Sequence, residues 1–259
     1  MFAAPAQAIS LGPETAHSPN AEDIETSYWV MLVLAVGLIG AIHVALIGAV
    51  IRFRSRRGQR PARLAAGRGA LRPVVGGLAV LAIAVFVFGV VMTGQVRKVE
   101  PSGSGGLQAA QTAQVGVKGV SSEAPPLEIA AIAQQWLWRF EYPGHSPSQS
   151  IFSYGELVVP VDTAVILNVD STDVIHSWWV PALGGQVQAT PGEVTPTWFK
   201  ADAVGRYPGR STVFSGTAFP AMRAWVRVVE VPEYEAYVEQ LQADLAEAQR
   251  AVASESALE

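Results

Sequence analysis

The sequence predicts a two-helix transmembrane hairpin, then an all-β sandwich, then a C-terminal helix. Three observations carry that prediction. Two long runs are almost free of charge, in a chain of 259 residues whose charged fraction is only 15%, well below the roughly 25% of soluble domains. A β-rich region punctuated by Pro and Gly extends from 127 to 231, and a stripe of apolar residues at helical spacing comes after it.

Residues 1–27 are polar and Pro/Ala-rich, with Glu14, Glu22, Asp23 and Glu25. No basic stretch precedes an apolar one there, so they read as an exported N-terminal segment without a standard signal peptide. From 28 to 51 the only ionisable groups are Tyr28 and His43. A helix of this length rises about 36 Å, enough to cross a ~30 Å hydrocarbon core with some tilt. Tyr28 and Trp29 stand at its start, where an interfacial aromatic belt lies. The second span is expected over 73–96. Its run from Pro73 to Thr93 has no charged residue, and Pro73 suits a first helical position, where a missing N–H costs nothing.

Between the spans, residues 52–72 hold Arg52, Arg54, Arg56, Arg57, Arg60, Arg63, Arg68 and Arg72 and no acid. An Arg run of this density also suits nucleic acid. Between two spans it marks a cytoplasmic loop, with both termini on the opposite side. Residues 97–126 include Pro101-Ser-Gly-Ser-Gly-Gly106 and read as a linker.

Within 127–232, short β-rich runs at Leu127–Ala133, Leu157–Val159, Ala164–Val169, Thr195–Phe199 and Ala224–Val231 alternate with turn residues. This is the pattern of a sandwich or barrel, with enough residues for a core of its own. In 233–259, Tyr234, Val238, Leu241, Leu245 and Ala248 form one narrow stripe. That stripe suits a helix lying on its own domain, or one docking on a partner. From residue 97 onward 10 basic residues face 18 acidic ones, a net charge of −8.

The chain has no cysteine and four histidines, His17, His43, His145 and His176. Disulfides, thiolate zinc sites, iron–sulfur clusters, cysteine nucleophiles and thiolate-bound copper are therefore excluded.

Two spans followed by an exported sandwich resemble subunit II of the haem-copper respiratory oxidases. Local motifs carry the resemblance in order: Gln135-Trp-Leu-Trp-Arg-Phe-Glu-Tyr-Pro143, Val174-Ile-His-Ser-Trp-Trp-Val-Pro-Ala-Leu-Gly184, Ala189-Thr-Pro-Gly192, Thr197-Trp-Phe-Lys-Ala-Asp202, Tyr207-Pro-Gly209 and Pro232-Glu-Tyr-Glu-Ala-Tyr237. The resemblance covers roughly residues 28–240 and implies a cupredoxin-like exported domain.

Copper-binding members of that family carry a dinuclear centre, CuA, that accepts electrons from cytochrome c. Its ligand pattern is an upstream His, then Cys-x-Glu-x-Cys-x3-His-x2-Met. The resemblance places His176 at the upstream histidine and Ser211, Val213, Ser215, Phe219 and Met222 along the loop. Serine is a hard, neutral hydroxyl, and His176 with Met222 gives too few ligands for copper. The expectation is a subunit that has lost CuA, with these six positions as vestiges. The loop resembles that of quinol oxidases, whose electrons arrive through the membrane at another subunit.

The resemblance therefore implies a non-catalytic subunit II of a terminal quinol oxidase in the bacterial inner membrane. Haem and copper are expected on a catalytic subunit I, with further membrane subunits and lipid as partners and no nucleic acid. No catalytic or cofactor residue is expected on this chain. Trp136 matches the position of electron entry in copper-bearing relatives and, without a copper acceptor, reads as a packing residue. His176 reads as a remnant hydrogen-bonded near Trp178 and Trp179. His43, inside the first span, is either a proton-path or interface residue or a neutral side chain bonded to a neighbouring helix.

From Thr26 to Val99 there is no Asp or Glu, and Arg72 stands where oxygen-reducing relatives carry an acid near a proton channel. This keeps a quinol-dependent nitric oxide reductase as one alternative. A membrane-anchored cupredoxin-like scaffold or interaction protein is another.

Overall fold

The computed structural model of the chain describes residues 12–54, 68–107, 125–143 and 151–256. Arg56, Arg57, Arg60 and Arg63 of the basic loop and the stretch 108–124 of the linker lie outside the described residues. The chain divides into two compact units. Glu25–Gln95 form one, and the remaining described residues form the other.

Helix α1 runs Pro19–Phe53 and helix α2 Arg68–Val96. At 1.5 Å per residue these are about 52 and 44 Å long, more than a hydrocarbon core requires. Their uncharged segments leave apolar side chains exposed along their length, Val44 at 72% and Phe86 at 71% among them. In water such surface would be strongly unfavourable; in a bilayer it is matched to its solvent, and every helical backbone group is bonded internally.

α1 starts at Pro19, well inside the segment read as a polar exported stretch. Pro19 takes the first helical position and Glu22 lies in the first turn, where the helix dipole favours an acid. Tertiary bonds fix this start. Asn20 Nδ2 donates to the Trp198 carbonyl, Lys200 N donates to Ser18 Oγ at 3.1 Å, and His17 Nδ1 lies 3.0 Å from Asp202 Oδ1.

Among the described residues the sandwich has ten strands. β1 (Leu127–Gln134), β2 (Leu137–Tyr142), β3 (Ile151–Tyr154), β5 (Val165–Ser171) and β8 (Thr195–Phe199) form one sheet in the order β3-β2-β1-β5-β8. β4 (Glu156–Pro160), β9 (Gly205–Arg210) and β10 (Arg223–Val229) form the second, in the order β4-β10-β9. β6 (His176–Trp178) and β7 (Val187–Ala189) make a short separate ribbon. The β1–β5 and β4–β10 pairs are parallel, and the other pairs are antiparallel. This is the all-β sandwich expected from the sequence, with β2, β3, β6, β7 and β9 added to the five β-rich runs read there.

Period-two alternation builds the core. Leu127, Ile129, Ala131 and Ala133 of β1 face inward, as do Trp138, Phe140 and Tyr142 of β2, Val165, Leu167 and Val169 of β5, and Ala224, Val226 and Val228 of β10. The Trp178 ring meets Trp138 and Phe140 edge to face, with centroids 5.3 and 5.6 Å away. Such pairs add about 0.5–1.5 kcal/mol each beyond their buried area.

Helix α3 (Val231–Ser256) lies on its own domain through Tyr234, Tyr237, Val238, Leu241 and Leu245. Ala248, placed on the same stripe in the sequence, is exposed. The start of the linker is anchored as well. Gly103 N donates to the Asp162 carbonyl at 2.8 Å, Leu107 N to Thr163 Oγ1 at 2.8 Å, and Ala164 N to Ser102 Oγ at 2.9 Å. A side chain at Gly103 would collide with the Asp162 carboxylate, so the glycine permits this close approach.

Candidate functional site

Three connections meet at one end of the sandwich: the β1–β2 turn at 135–136, the β5–β6 connection at 172–175 and the β9–β10 loop at 211–222. Asp173 joins the first two. Its carboxylate accepts from Gln135 N at 2.7 Å, from Val174 N at 2.6 Å and from His176 Nε2 at 2.9 Å. Burial pushes the Asp173 carboxyl upward, but the two backbone donors and His176 outweigh it and hold the group below its ordinary value. The sequence carries a signal for this residue that went unread: an Asp three positions before a buried His, in a turn where Asx side chains bond the following backbone.

The third connection is tied to the others by backbone. The Ser215 carbonyl accepts from Gln135 Nε2 at 2.7 Å and from Trp136 Nε1 at 3.1 Å. Ser211 N donates to the Met222 carbonyl at 3.2 Å, closing the loop at its base. Ser177 N donates to Ser211 Oγ at 3.2 Å, and Thr212 N donates to Ser177 Oγ at 2.8 Å. Gly216 has φ +110°, and a Cβ there would come within 3.0 Å of Gln135 Nε2 and of Trp136 Cζ2. Gln135, Gly216, Ser177 and Thr212 are site residues that sequence reasoning missed.

The six positions aligned with copper ligands are all on or beside this loop. His176 and Met222 are fully buried, and Ser211 and Ser215 are nearly so. His176 is hydrogen-bonded. Its partner is Asp173. A carboxylate only accepts, so the proton on that bond belongs to Nε2. Nδ1 is buried and without a partner among the described residues, and so is Ser215 Oγ. Val213 is half-buried. Phe219 is also half-buried, and it meets exposed Phe214 edge to face at 5.4 Å instead of filling the interior. Trp136 is 38% exposed and held by its hydrogen bond to Ser215, so it packs less than the sequence suggested.

Whether this donor set suits a CuA pair follows from its chemistry. Two coppers in that centre share bridging thiolates, which are soft and anionic. The structure supplies one imidazole nitrogen, one thioether and two hydroxyls, with apolar side chains at 213 and 219. These residues do not fit a thiolate-bridged dinuclear centre. Among the described residues, no group of three His, Cys, Asp or Glu side chains is placed to hold a metal ion.

His43 lies within α1. Its Nδ1 donates to the Ile39 carbonyl one turn back at 2.8 Å, so its partner is on its own helix. That carbonyl only accepts, which places a proton on Nδ1.

Comparison with known proteins gives this geometry its family. Residues 151–229 match the model of the cytochrome c oxidase subunit II periplasmic domain. The quinol oxidase subunit 2 of Bacillus subtilis is 27% identical over 82% of this chain and 62% of its own length. The cytochrome c oxidase subunit 2 of Thermostichus vulcanus is 39% identical over 53% of this chain and 41% of its own. The chain thus spans less than two thirds of the length of the curated relatives it matches. The periplasmic domain of cytochrome oxidase subunit II from Bradyrhizobium japonicum, a solved structure, is 30% identical, with 46% of this chain and 94% of that one covered and a TM-score of 0.43. With two apolar helices ahead of the sandwich in sequence, the chain is similar to subunit II of the haem-copper oxidases.

Proposed function

We propose that this chain is a copper-free subunit II of a haem-copper terminal quinol oxidase. The observation that carries the reading is the pair Ser211 and Ser215 at the two positions where copper-bearing relatives place thiolates. Relatives of both kinds match the chain, one named for quinol and one for cytochrome c. The ligand set discriminates between them. A cytochrome c oxidase needs a copper acceptor on its exported domain to receive electrons from a water-soluble donor. A quinol dissolves in the bilayer and can be oxidised at a membrane-embedded catalytic subunit, with no relay on the cap.

On this reading α1 and α2 brace a catalytic subunit I that carries the haem and copper, and quinol gives its electrons there. The sandwich sits on the periplasmic side of the bacterial inner membrane, the basic loop of 52–72 on the cytoplasmic side. This chain supplies anchoring and shape and no reacting group. Trp136 keeps its place at the rim of the loop without an acceptor behind it. His43 offers Nε2 as a hydrogen-bond acceptor to a neighbouring subunit within the membrane.

The experiment is the purified complex supplied with quinol or reduced cytochrome c in turn, with oxygen consumption and the near-infrared spectrum recorded. Quinol-driven oxygen uptake is expected, with no cytochrome c oxidation and no copper-dependent band from this subunit. Cytochrome c turnover, or a purple band that chelation removes, overturns the reading. Replacing His43 with Phe in the same complex tests its role, and unchanged turnover assigns it none.

A further inference from the structure

The outer face of the β9–β10 ribbon carries four of the ten basic residues found from position 97 onward, in a part of the chain with a net charge of −8. The register sets Arg206 opposite Arg227, Pro208 opposite Trp225, and Arg210 opposite Arg223. The first pair is neutralised. Glu156 lies 2.8 Å from Arg206 Nε and 3.3 Å from Arg227 Nε, and Glu233 lies 2.7 Å from Arg227 Nη1. The second pair is not. Among the described residues, neither Arg210 nor Arg223 has an acidic partner. The Arg210 guanidinium lies 5.9 Å from the Trp179 ring, and the exposed Arg223 side chain has no recorded partner. Like charges directly opposite across antiparallel strands repel each other, so this pair weakens the fold that holds it.

Between them is a cleft of about 190 Å³ lined by Pro208, Gly209, Arg210, Pro220, Arg223 and Trp225. Its walls are rigid. Two are prolines, and Arg206 stacks on the Trp225 ring at 3.9 Å. Gly209 forms part of the lining, where a Cβ would meet Val180 at 2.7 Å. Next to Pro220, Phe219 meets Phe214, which is 74% exposed on the same loop.

We propose that this cleft is a docking site for an acidic segment of a partner protein. One carboxylate sits between the Arg210 and Arg223 guanidiniums, and Pro220 and Trp225 form its apolar borders. Two guanidinium forks suit a carboxylate geometrically, and aromatic and Arg residues are the usual anchors of interfaces. The net negative charge of this part of the chain disfavours an extended anionic bilayer surface, while one acidic side chain in the cleft feels mainly the two arginines. The inference does not rest on quinol as the electron donor.

The test uses the full chain in phosphatidylcholine nanodiscs. Poly-L-glutamate serves as the probe, and inorganic phosphate and vesicles containing phosphatidylglycerol serve as the other anions. Arg223→Gln is expected to weaken poly-L-glutamate binding about tenfold, the scale of one charge-assisted contact. Arg223→Glu supplies the carboxylate within the chain. It is expected to abolish binding and to raise the melting temperature of the exported domain, because it turns a repelling pair into an attracting one. Binding of poly-L-glutamate that is indifferent to residue 223 overturns the proposal. So does a dependence on residue 223 seen only with phosphatidylglycerol vesicles or phosphate. A fall in melting temperature for Arg223→Glu would mark Arg223 as a structural residue and overturn it as well.

Discussion

His176→Leu is the substitution that most directly probes this site, because the structure sets two opposing terms against each other. The change removes the bond from Nε2 to Asp173 Oδ1 at 2.9 Å. A bond to a carboxylate is worth about 1.5–3 kcal/mol. It also removes Nδ1, a buried nitrogen without a partner among the described residues, and leaving such a group unsatisfied costs about 1–3 kcal/mol. Asp173 is not stranded by the loss. It keeps Gln135 N at 2.7 Å and Val174 N at 2.6 Å, and a quarter of its side chain reaches solvent. Leucine fills most of the volume of the ring. The two terms nearly cancel, and the net effect is expected within about 1.5 kcal/mol of zero. That corresponds to a change in melting temperature of under roughly 6 °C for a chain of this size. Unfolding of the β domain in the detergent-solubilised full chain, followed by near-ultraviolet circular dichroism, measures it. A loss above about 3 kcal/mol would exceed anything the single Asp173 bond can supply. It would mean that Nδ1 has a partner, and the description of the site as a remnant would fail.

Met222 is fully buried, so Met222→Ala is expected to cost about 2–5 kcal/mol of stability by transfer and cavity terms, read from denaturant midpoints. Asp173→Asn should flatten the acid side of the stability profile. The carboxyl is held below its ordinary value, so its contribution is present above about pH 4 and is lost as pH falls through the folded-state value; equal acid slopes in the two proteins would contradict this. At the alkaline end, burial reinforced by Tyr237 pushes the Tyr142 phenol far above its ordinary range. The unfolded chain then releases that proton first, and stability falls from about pH 10 upward by about 1.4 kcal/mol per unit for this group. Tyr142→Phe should remove that share of the slope, and it should cost about 1–3 kcal/mol at neutral pH because the Val158 N–H that donates to Tyr142 Oη at 2.9 Å loses its acceptor.

How legible each part was depends on what fixes it. The spans could be read because a bilayer selects on charge and length alone, and both are local. The start of α1 could not. Asn20, Ala21, Glu22 and Asp23 look like a polar tail, and what makes them helical is the tertiary grip of Trp198 and Lys200 on Asn20 and Ser18. β6 and β7 have three residues each, too few for any period to show. The Gly/Ser run after α2 reads as slack, yet its glycines are what let the backbone at 103–107 lie against Asp162 and Thr163. At the site, motif order alone gave the six aligned positions. Motif order carries no information about which atoms bond, so Asp173 as the partner of His176 and the outward turn of Phe219 required the fold.

The two copper-ligand positions that match and the four that differ separate by what each side chain does for the fold. Met222 is fully buried and joins the core cluster, and His176 is fully buried and bonded to Asp173, so both have a structural role that does not depend on a metal. Val213 and Phe219 are half-buried on a loop whose shape is set by backbone bonds, Phe219 N to Gly216 O at 3.2 Å and Met222 N to Phe219 O at 3.0 Å among them. Ser211 and Ser215 differ from cysteine by one atom, and exchanging sulfur for oxygen leaves the carbon frame in place. The ties from Ser215 O to Gln135 and Trp136 are made by the backbone and are indifferent to that exchange. Copper ligation can therefore be absent at little cost to the loop. Deleting His176 and Met222 together should instead disturb the domain by the sum of a lost turn contact and a core cavity, chiefly the cavity.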